Sequence, residues 1–300
     1  MSFSRFNGLS AFLAGTATVA AIVISQPASA KTAKEVAQIA VPTTVRIDTS
    51  AGVDKGGSGV IIARDGNTYT VLTAHHVVAS QAYEYKIYTS QKKTYAVTSS
   101  QSLQKGEKDP DLAIVKFESP EEYPVAPLSN SDDASIGSGI YISGYPMSIE
   151  AEGEREYEFT AGQVTSRPDS RPQGYTLRYD AVTRRGMSGG PVFDVNGRLV
   201  GIHGQGDRDG VVKNESAGGG QTEIKTGFNA AIPVNTFKSL IAQAGINLPL
   251  QVDNTPAENV VATQPTRQDV RSWADDFALG LGLGLLRQVI PIPSIPGLPF

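Results

Sequence analysis

The feature that most limits the fold of this chain is a series of short segments rich in Val, Ile, Thr and aromatic residues, each bounded by Gly, Asp or Asn. Such segments are typical of β-strands, and several alternate apolar with polar residues. The 31 glycines and 18 prolines suit the tight turns between them. Because no long amphipathic helical pattern separates consecutive segments, the sequence predicts an all-β fold of two six-stranded antiparallel β-barrels with a C-terminal helix. The predicted strands span residues 44–48, 59–63, 69–73, 85–89, 94–98, 112–117, 140–143, 157–166, 175–180, 191–195, 198–203 and 227–232.

Two helices and one tight turn accompany these strands. The helices are predicted over residues 33–40 and 234–244, the second with apolar residues on one face and Gly245 at its end. The Asn-Gly pair at 196–197 joins two predicted strands and indicates a hairpin. Residues 207–210 are interpreted as a mobile surface loop, because they lack the bidentate acid that a calcium loop would need at its expected spacing.

Residues 1–30 resemble a secretory signal peptide. Arg5 is followed by a small-residue apolar run at 9–24 and by Ala-Ser-Ala at 28–30, which fits the small-x-small cleavage pattern. We therefore expect an exported protein whose mature chain begins near Lys31, in the periplasm, in the cell envelope or outside the cell. An uncleaved membrane anchor is the alternative.

The rest of the chain divides into three parts. Residues 31–248 form the predicted folded domain, of a size that one two-barrel protein fills. Residues 249–272 are rich in polar residues and Pro, which predicts a flexible linker, and residues 273–300 form an apolar tail interrupted by Gly and Pro. Two alternatives stay open for this tail: contact with the cell envelope or a partner, and a disordered end. Within the domain, five glutamates surround Arg155 at 150–158, which predicts an exposed loop entering a strand.

The composition excludes several classes of function. The formal charge of −4 gives no basic excess, so nucleic acid is not expected as a partner. The absence of cysteine excludes disulfides, a thiol nucleophile and a thiolate metal site. We expect no cofactor and no metal.

Three segments carry the residues that acyl transfer needs. Residues 71–78 are an apolar strand that runs into a pair of histidines, residues 109–115 are an acidic turn that runs into a strand, and residues 185–192 hold a serine among glycines. A serine hydroxyl becomes nucleophilic when an imidazole takes its proton, and a carboxylate on the other ring nitrogen fixes the tautomer of that imidazole. The backbone N–H groups of Gly186 and Ser188 are candidates for an oxyanion hole, since a glycine turn lets both reach one point.

In their order His, Asp, Ser, these segments resemble the catalytic motifs of chymotrypsin-like serine peptidases. The resemblance implies the chymotrypsin-like double barrel, with His76 as general base, Asp111 as the residue that orients it and Ser188 as nucleophile. His76 is preferred to His75 because the family pattern sets two residues between the Thr and the His. Asp111 is preferred to Asp109 because it directly precedes the apolar strand. Animal digestive members carry an Asp immediately before the serine, where this chain has Met187, so their activation by a newly cut N-terminus is not expected.

The sequence around the serine resembles the glutamyl endopeptidase branch most closely. Residues 200–204 are similar to the strand on which that branch places a pocket histidine, here His203, and Thr183 stands where it places a hydroxyl residue. The resemblance implies a preference for Glu before the cleaved bond, because both side chains can donate hydrogen bonds to a carboxylate. It also implies that the backbone from Gly204 to Gly206 pairs with the substrate as an added strand and that Gly227 lines the far wall of the pocket. The third element of that pocket, the mature N-terminus, has no match in the sequence, and Val182 replaces the acidic residue of trypsin.

These inferences favour an exported serine endopeptidase that acts on proteins or peptides. The alternative is a catalytically inactive barrel that binds peptides or envelope partners.

Overall fold

The structure is a computed structural model that describes residues 30–52, 55–148, 154–214, 220–256 and 260–264, with side chains omitted for residues 207–226. Nearly all of the predicted signal peptide and the whole apolar tail at 273–300 lie outside the described residues.

Helix α1 (Ala33–Thr43) precedes the strands. Thr32 caps it, accepting a bond from the backbone of Glu35 at 3.3 Å while the Glu35 carboxylate accepts from the Thr32 backbone at 2.8 Å. This reciprocal capping box fixes the first turn. The helix extends past the predicted end at residue 40 and includes Pro42, which has no backbone N–H and stands one residue before the helix end. Its apolar face, formed by Val36 and Ala40, is buried.

The first half of the fold is a seven-stranded antiparallel sheet in the order β5-β4-β1-β2-β3-β7-β6. It has one strand more than predicted. The additional strand, β6, is made of exposed Ser and Gln residues and has no apolar alternation by which to recognise it. The strands are β1 (Thr44–Thr49), β2 (Gly56–Asp65), β3 (Thr68–Thr73), β4 (Tyr85–Tyr88), β5 (Thr94–Ala96), β6 (Ser99–Ser102) and β7 (Ala113–Glu118).

The second half is a closed six-stranded barrel in the order β10-β13-β12-β11-β8-β9, followed by helix α2 (Val234–Gln243). The predicted all-β fold with a C-terminal helix is thereby confirmed, with one closed barrel and one more open sheet. The Asn-Gly turn at 196–197 joins β11 to β12, as predicted. The strands are β8 (Gly139–Gly144), β9 (Glu158–Ser166), β10 (Leu177–Tyr179), β11 (Pro191–Asp194), β12 (Leu199–Asn214) and β13 (Gly220–Pro233).

Strands β12 and β13 are much longer than predicted. They pair with each other as far as Asn214 opposite Gly220, with register shifts along the way. The surface loop predicted at 207–210 is therefore wrong, because these residues belong to β12. The Gly, Asp and Lys residues of this stretch have low strand propensity, and the pairing of the two backbones overrides it.

Three clusters of buried apolar side chains form the hydrophobic core. One fills the first sheet around Val71 and Phe117, and another lies inside the barrel around Ile142 and Leu177. The third and largest joins both halves with α1 and α2. Across the described residues, no helix combines the length and the apolar character that crossing a bilayer requires.

Part of the predicted linker contacts the barrel. Leu128 pairs with Val252, and the N–H of Gly139 donates to the carbonyl of Val260 at 3.0 Å. The Gln264 side chain bonds both backbone groups of Ala161, at 2.9 and 3.3 Å. The described residues between 249 and 264 thus lie against the second barrel, and we name them the C-terminal strap.

Candidate active site

A cleft of about 440 Å³ lies where the two halves meet. His76 reaches it from a 3₁₀ turn (His75–Val77) that follows β3, and Ser188 reaches it from the turn before β11. Gly186 and Gly204 also line the cleft. The fold therefore brings together residues that the sequence places in separate motifs.

His76 and Asp111 form a close pair. The imidazole Nδ1 donates to Asp111 Oδ2 at 2.6 Å, and the backbone N–H of His76 donates to Oδ1 of the same carboxylate at 2.8 Å. The Asp111 side chain is 3% exposed, whereas that of His76 is 46% exposed. Because the carboxylate only accepts, Nδ1 carries the hydrogen and Nε2 is left as a proton acceptor.

The Asp111 carboxyl is held in its ionised form. Burial opposes ionisation, but hydrogen bonds from His76 and Tyr175 and the charge of His76 outweigh it, so the pKa of Asp111 lies below its ordinary value. The buried carboxylate is consequently available to orient and stabilise a protonated imidazole.

Tyr175 is a member of this network that sequence reasoning missed. Its hydroxyl donates to Asp111 Oδ2 at 2.6 Å, and its ring is buried. Burial and the neighbouring carboxylate raise the pKa of Tyr175, which keeps the phenol protonated. A Cβ at position 204 would overlap the Tyr175 hydroxyl, so Gly204 leaves the space that this contact occupies.

Asp109 and His75, the alternatives to Asp111 and His76 in the sequence, do not take part in this pair. Asp109 is exposed and its carboxylate does not reach either histidine among the hydrogen bonds of the described residues. His75 lines a neighbouring groove of about 680 Å³, and its Nδ1 has no hydrogen-bond partner within the described part of the chain. The geometry therefore pairs His76 with Asp111.

The Ser188 hydroxyl lies 3.5 Å from the carbonyl oxygen of Gly204. Between the side chains of His76 and Ser188, both of them described, there is no hydrogen bond, although both line the same cleft. Contacts of this kind are often loose before a substrate binds.

The turn around Gly186 leaves two donors available. Gly186 has φ +93°, a backbone conformation that side chains rarely adopt, and a Cβ there would lie 2.7 Å from the Tyr145 carbonyl oxygen. Within the described chain, the N–H groups of Gly186 and Ser188 donate to no protein acceptor. Two free amide donors in a cleft are the arrangement that binds an oxyanion.

Asn229 connects the predicted pocket residues. The Thr183 hydroxyl donates to its Oδ1 at 2.6 Å, and its Nδ2 donates to the carbonyls of Ala181 and Gly227 at 2.6 and 3.1 Å. Gly206 faces the same amide oxygen across β12 and β13. Nothing in the sequence around Asn229 distinguishes it, because its partners are distant in the chain.

His203 lies in the barrel wall and is only 3% exposed. Its Nδ1 is 2.6 Å from the hydroxyl of Tyr179, whose pKa is raised by burial. Its backbone exchanges hydrogen bonds with Gly189 and Gly190, at 2.7 and 2.9 Å, so it also fixes the turn that carries Ser188.

Among the described residues, no group of His, Asp and Glu side chains is arranged to hold a metal ion.

In comparisons with known proteins, the chain is similar to a trypsin-like peptidase family model and to several proteases. Residues 57–202 match the family model of the trypsin-like peptidase domain. A probable periplasmic serine endoprotease DegP-like from Hahella chejuensis is 32% identical over 152 residues, which are 50% of this chain and 29% of that protein. The serine protease HTRA4 of Homo sapiens is 29% identical over 52% of this chain and 31% of its own. The magnetosome formation protease MamE of Magnetospirillum gryphiswaldense is 25% identical over 83% of this chain and 29% of its own. The chain thus spans less than a third of the length of each of these relatives.

Proposed function

We propose that this chain is a chymotrypsin-like serine endopeptidase that cleaves proteins or peptides through an acyl-enzyme, with Ser188, His76 and Asp111 as its catalytic residues. The observation that carries the proposal is the 2.6 Å bond between His76 Nδ1 and Asp111 Oδ2 in a cleft that Ser188 also lines. The match of residues 57–202 to the trypsin-like peptidase domain supports it.

In the proposed reaction, rotation of the Ser188 side chain moves its hydroxyl from Gly204 toward His76. Nε2 takes the hydroxyl proton as Oγ attacks the peptide carbonyl, and the Asp111 carboxylate stabilises the imidazolium that forms. The amides of Gly186 and Ser188 bind the oxyanion. The imidazolium then protonates the leaving amine, and a water molecule activated by the same imidazole hydrolyses the acyl-enzyme.

Covalent labelling separates this function from an inactive binding barrel. A fluorophosphonate probe should label the wild-type protein, and Ser188→Ala should abolish both labelling and peptide hydrolysis. His76→Ala should remove most of both while the protein stays folded. Absence of labelling in a wild-type protein with a native circular-dichroism spectrum would favour the binding module.

We further propose a preference for Glu at P1, the residue before the cleaved bond. If the Tyr179 hydroxyl donates to His203 Nδ1, Nε2 carries the ring hydrogen and is a donor. The Thr183 hydroxyl now donates to Asn229, so carboxylate binding requires it to turn toward the substrate. Val182 is 64% exposed and contributes no acid that would favour Lys or Arg.

In a mature chain that begins near Lys31, the N-terminus would lie outside this proposed pocket. The N–H of Lys31 donates to the Val195 carbonyl at 3.0 Å, at the turn between β11 and β12. Glutamate recognition would therefore depend on His203 and Thr183. A peptide panel varied only at P1 tests it: preference for Leu or Phe over Glu would exclude the acidic pocket and leave the peptidase proposal intact.

We also propose that the protein is exported and that its peptidase domain begins near Lys31. Export is supported by the predicted signal peptide and by relatives whose names describe them as periplasmic. Mass spectrometry of the purified protein should find Lys31 at the N-terminus, whereas an intact Met1 would indicate an anchor. Contact of the apolar tail with the envelope predicts that truncation after Arg271 changes fractionation.

A further inference from the structure

Arg155 is a buried cation at the junction of the two halves. Its side chain is 5% exposed, so the exposed position predicted from the surrounding glutamates is wrong for this residue. Burial lowers the pKa of Arg155 to about 10, against the opposing effect of the Asp48 carboxylate, and the guanidinium stays charged at neutral pH. Its position in the chain, between β8 and β9, lies outside all three catalytic motifs.

The guanidinium bonds mainly to backbone carbonyls rather than to an acid. It donates to Tyr145 O at 2.6 and 3.0 Å, to Gly57 O at 2.8 Å and to Gly186 O at 3.0 Å. A weaker bond reaches Ile47 O at 3.4 Å. These carbonyls belong to β1 and β2 of the first sheet, to the segment after β8, and to the turn that precedes Ser188. One side chain thus connects both halves to the candidate oxyanion turn.

Among the described residues, the acid paired with Arg155 is Asp48, and it contributes less than the carbonyls. Its Oδ1 is 3.7 Å from Arg155 Nη1, and its Oδ2 also receives Arg46 Nη2 at 2.9 Å. A buried cation with an incomplete acidic partner is costly to maintain, so stability alone is a poor reason for its presence. The bonds from Arg155 to backbone carbonyls indicate instead that it fixes the backbone around the Ser188 turn.

The contact with Gly186 O acts on the direction of a proposed oxyanion donor. Two peptide planes flank Gly186. The plane before it is fixed because Met147 N donates to Arg185 O at 2.7 Å, and the plane after it is fixed because Ser58 Oγ and Arg155 both donate to Gly186 O, at 2.8 and 3.0 Å. With both planes held, the φ of +93° and the direction of the Gly186 N–H are set.

We infer that Arg155 is a positioning residue of the oxyanion hole: together with Ser58 it fixes the peptide plane that follows Gly186, and through the Gly186 and Tyr145 carbonyls it holds the Gly186 backbone in the conformation that orients its N–H. The inference rests on the proposed peptidase function for its catalytic consequence. Because the same guanidinium bonds to β1 and β2 of the first sheet, the position of that sheet relative to the barrel affects the geometry of the Ser188 turn.

Kinetics of Arg155→Met and Arg155→Lys test the catalytic consequence. A misdirected oxyanion donor should lower kcat by about 10–100-fold while KM stays within about threefold, since the donor acts mainly in the transition state. Lysine keeps one charged donor and should restore part of kcat. Asp48→Asn, which leaves every carbonyl contact intact, should have a smaller effect than either Arg155 substitution.

Arg198 offers a matched control. Its side chain is 2% exposed and bonds to Asp194 and to the Asp253 carbonyl at the far turn of the barrel. Arg198→Met should destabilise the protein and leave kcat near the wild-type value. Equal losses of kcat in Arg155→Met and Arg198→Met, or a rise in KM with kcat unchanged, would overturn the inference.

A second measurement does not depend on catalysis. In protein labelled with ¹⁵N-glycine and carbonyl-¹³C-arginine, the Gly186 amide is identified by its coupling to a labelled carbonyl, because Arg185-Gly186 is the only Arg-Gly pair in the sequence. Its resonance should shift and broaden in Arg155→Lys and stay unchanged in Arg198→Met. An unchanged Gly186 resonance in a folded Arg155→Lys variant would exclude the positioning role. If the wild-type protein hydrolyses no peptide, the peptidase proposal fails while this measurement still decides whether Arg155 holds the turn.

Discussion

Asp111 receives three hydrogen bonds, from the ring and backbone of His76 and from the hydroxyl of Tyr175. A carboxylate so fully bonded has little freedom to rotate, and it fixes the imidazole in one tautomer. The role proposed for Asp111 therefore depends on a tyrosine that no catalytic motif contains.

Substitution at the two neighbouring aspartates should give unequal results. Asp111→Asn removes the acceptor that fixes the His76 tautomer, and kcat should fall by about 10⁴-fold. Asp109→Asn changes an exposed residue and should leave kcat within about twofold of wild type. Steady-state hydrolysis of one peptide by both variants measures this, and equal losses would show that the roles are shared or reversed.

Tyr175→Phe should make the free energy of unfolding vary less with pH. The lowered pKa of Asp111 contributes stability that is present above the ordinary carboxyl pKa of about 4 and is lost as pH falls through the lower folded-state pKa. Removing the Tyr175 donor raises that pKa, so the variant should lose about 1–3 kcal/mol of unfolding free energy at pH 7 and less near pH 3.

Urea unfolding of wild type and Tyr175→Phe at both pH values provides the measurement. Tyr69→Phe is the control, because the Tyr69 hydroxyl donates to the backbone carbonyl of Glu121 at 3.0 Å, a group that does not titrate, so the loss should be the same at both pH values. A Tyr175→Phe loss that is the same at both pH values would contradict the linkage to Asp111.

The sequence predicts some site residues and not others for a physical reason. His76 and Asp111 stand at strand ends, where the local pattern of apolar residues marks them. Tyr175, Asn229 and Arg155 act through partners far away in the chain, and such contacts leave no local pattern. The glutamates beside Arg155 even indicated the opposite environment.

At the scale of elements, strand prediction succeeds where one face is buried. Strands such as β3 and β11 have buried apolar residues and were predicted within about one residue of their observed ends. Strand β6, which is exposed, and the outer parts of β12 and β13 were missed, because backbone pairing rather than side-chain burial forms them.

The C-terminal strap should stabilise the barrel without affecting catalysis. Arg198 is buried and bonds to Asp253 and to the Thr255 carbonyl, both lost in a chain that ends at residue 248. We expect that chain to be less stable by about 2–4 kcal/mol than one ending at residue 264, from lost apolar contact and an incompletely bonded arginine. Denaturant unfolding measures the difference, and kcat should agree between the two, since the cleft contains no strap residue. Equal stability would favour the predicted flexible linker.

At the scale of the whole molecule, the largest apolar cluster spans both halves. It contains Val60 and Leu72 of the first sheet together with Phe193 and Ile202 of the barrel. Neither half can unfold without exposing part of this shared cluster, which makes independent folding of the halves unfavourable.

The described domain should therefore unfold in one transition. Far-ultraviolet circular dichroism and tyrosine fluorescence should give the same denaturation midpoint for a chain of residues 31–264. A reducing agent should not move that midpoint, because the chain has no cysteine. Two separated transitions would indicate that the shared cluster contributes less than its size suggests.

The contact between Tyr175 and Asp111 crosses the boundary between the halves. Tyr175 belongs to the barrel segment between β9 and β10, and the same segment accepts the N–H of Asp111 at the carbonyl of Gln173, 3.1 Å away. A slight separation of the halves would thus release the aspartate while every strand remained paired. Enzymatic turnover would then decline at denaturant concentrations too low to change the spectra, so that catalysis reports on the alignment of the two halves earlier than any optical signal does.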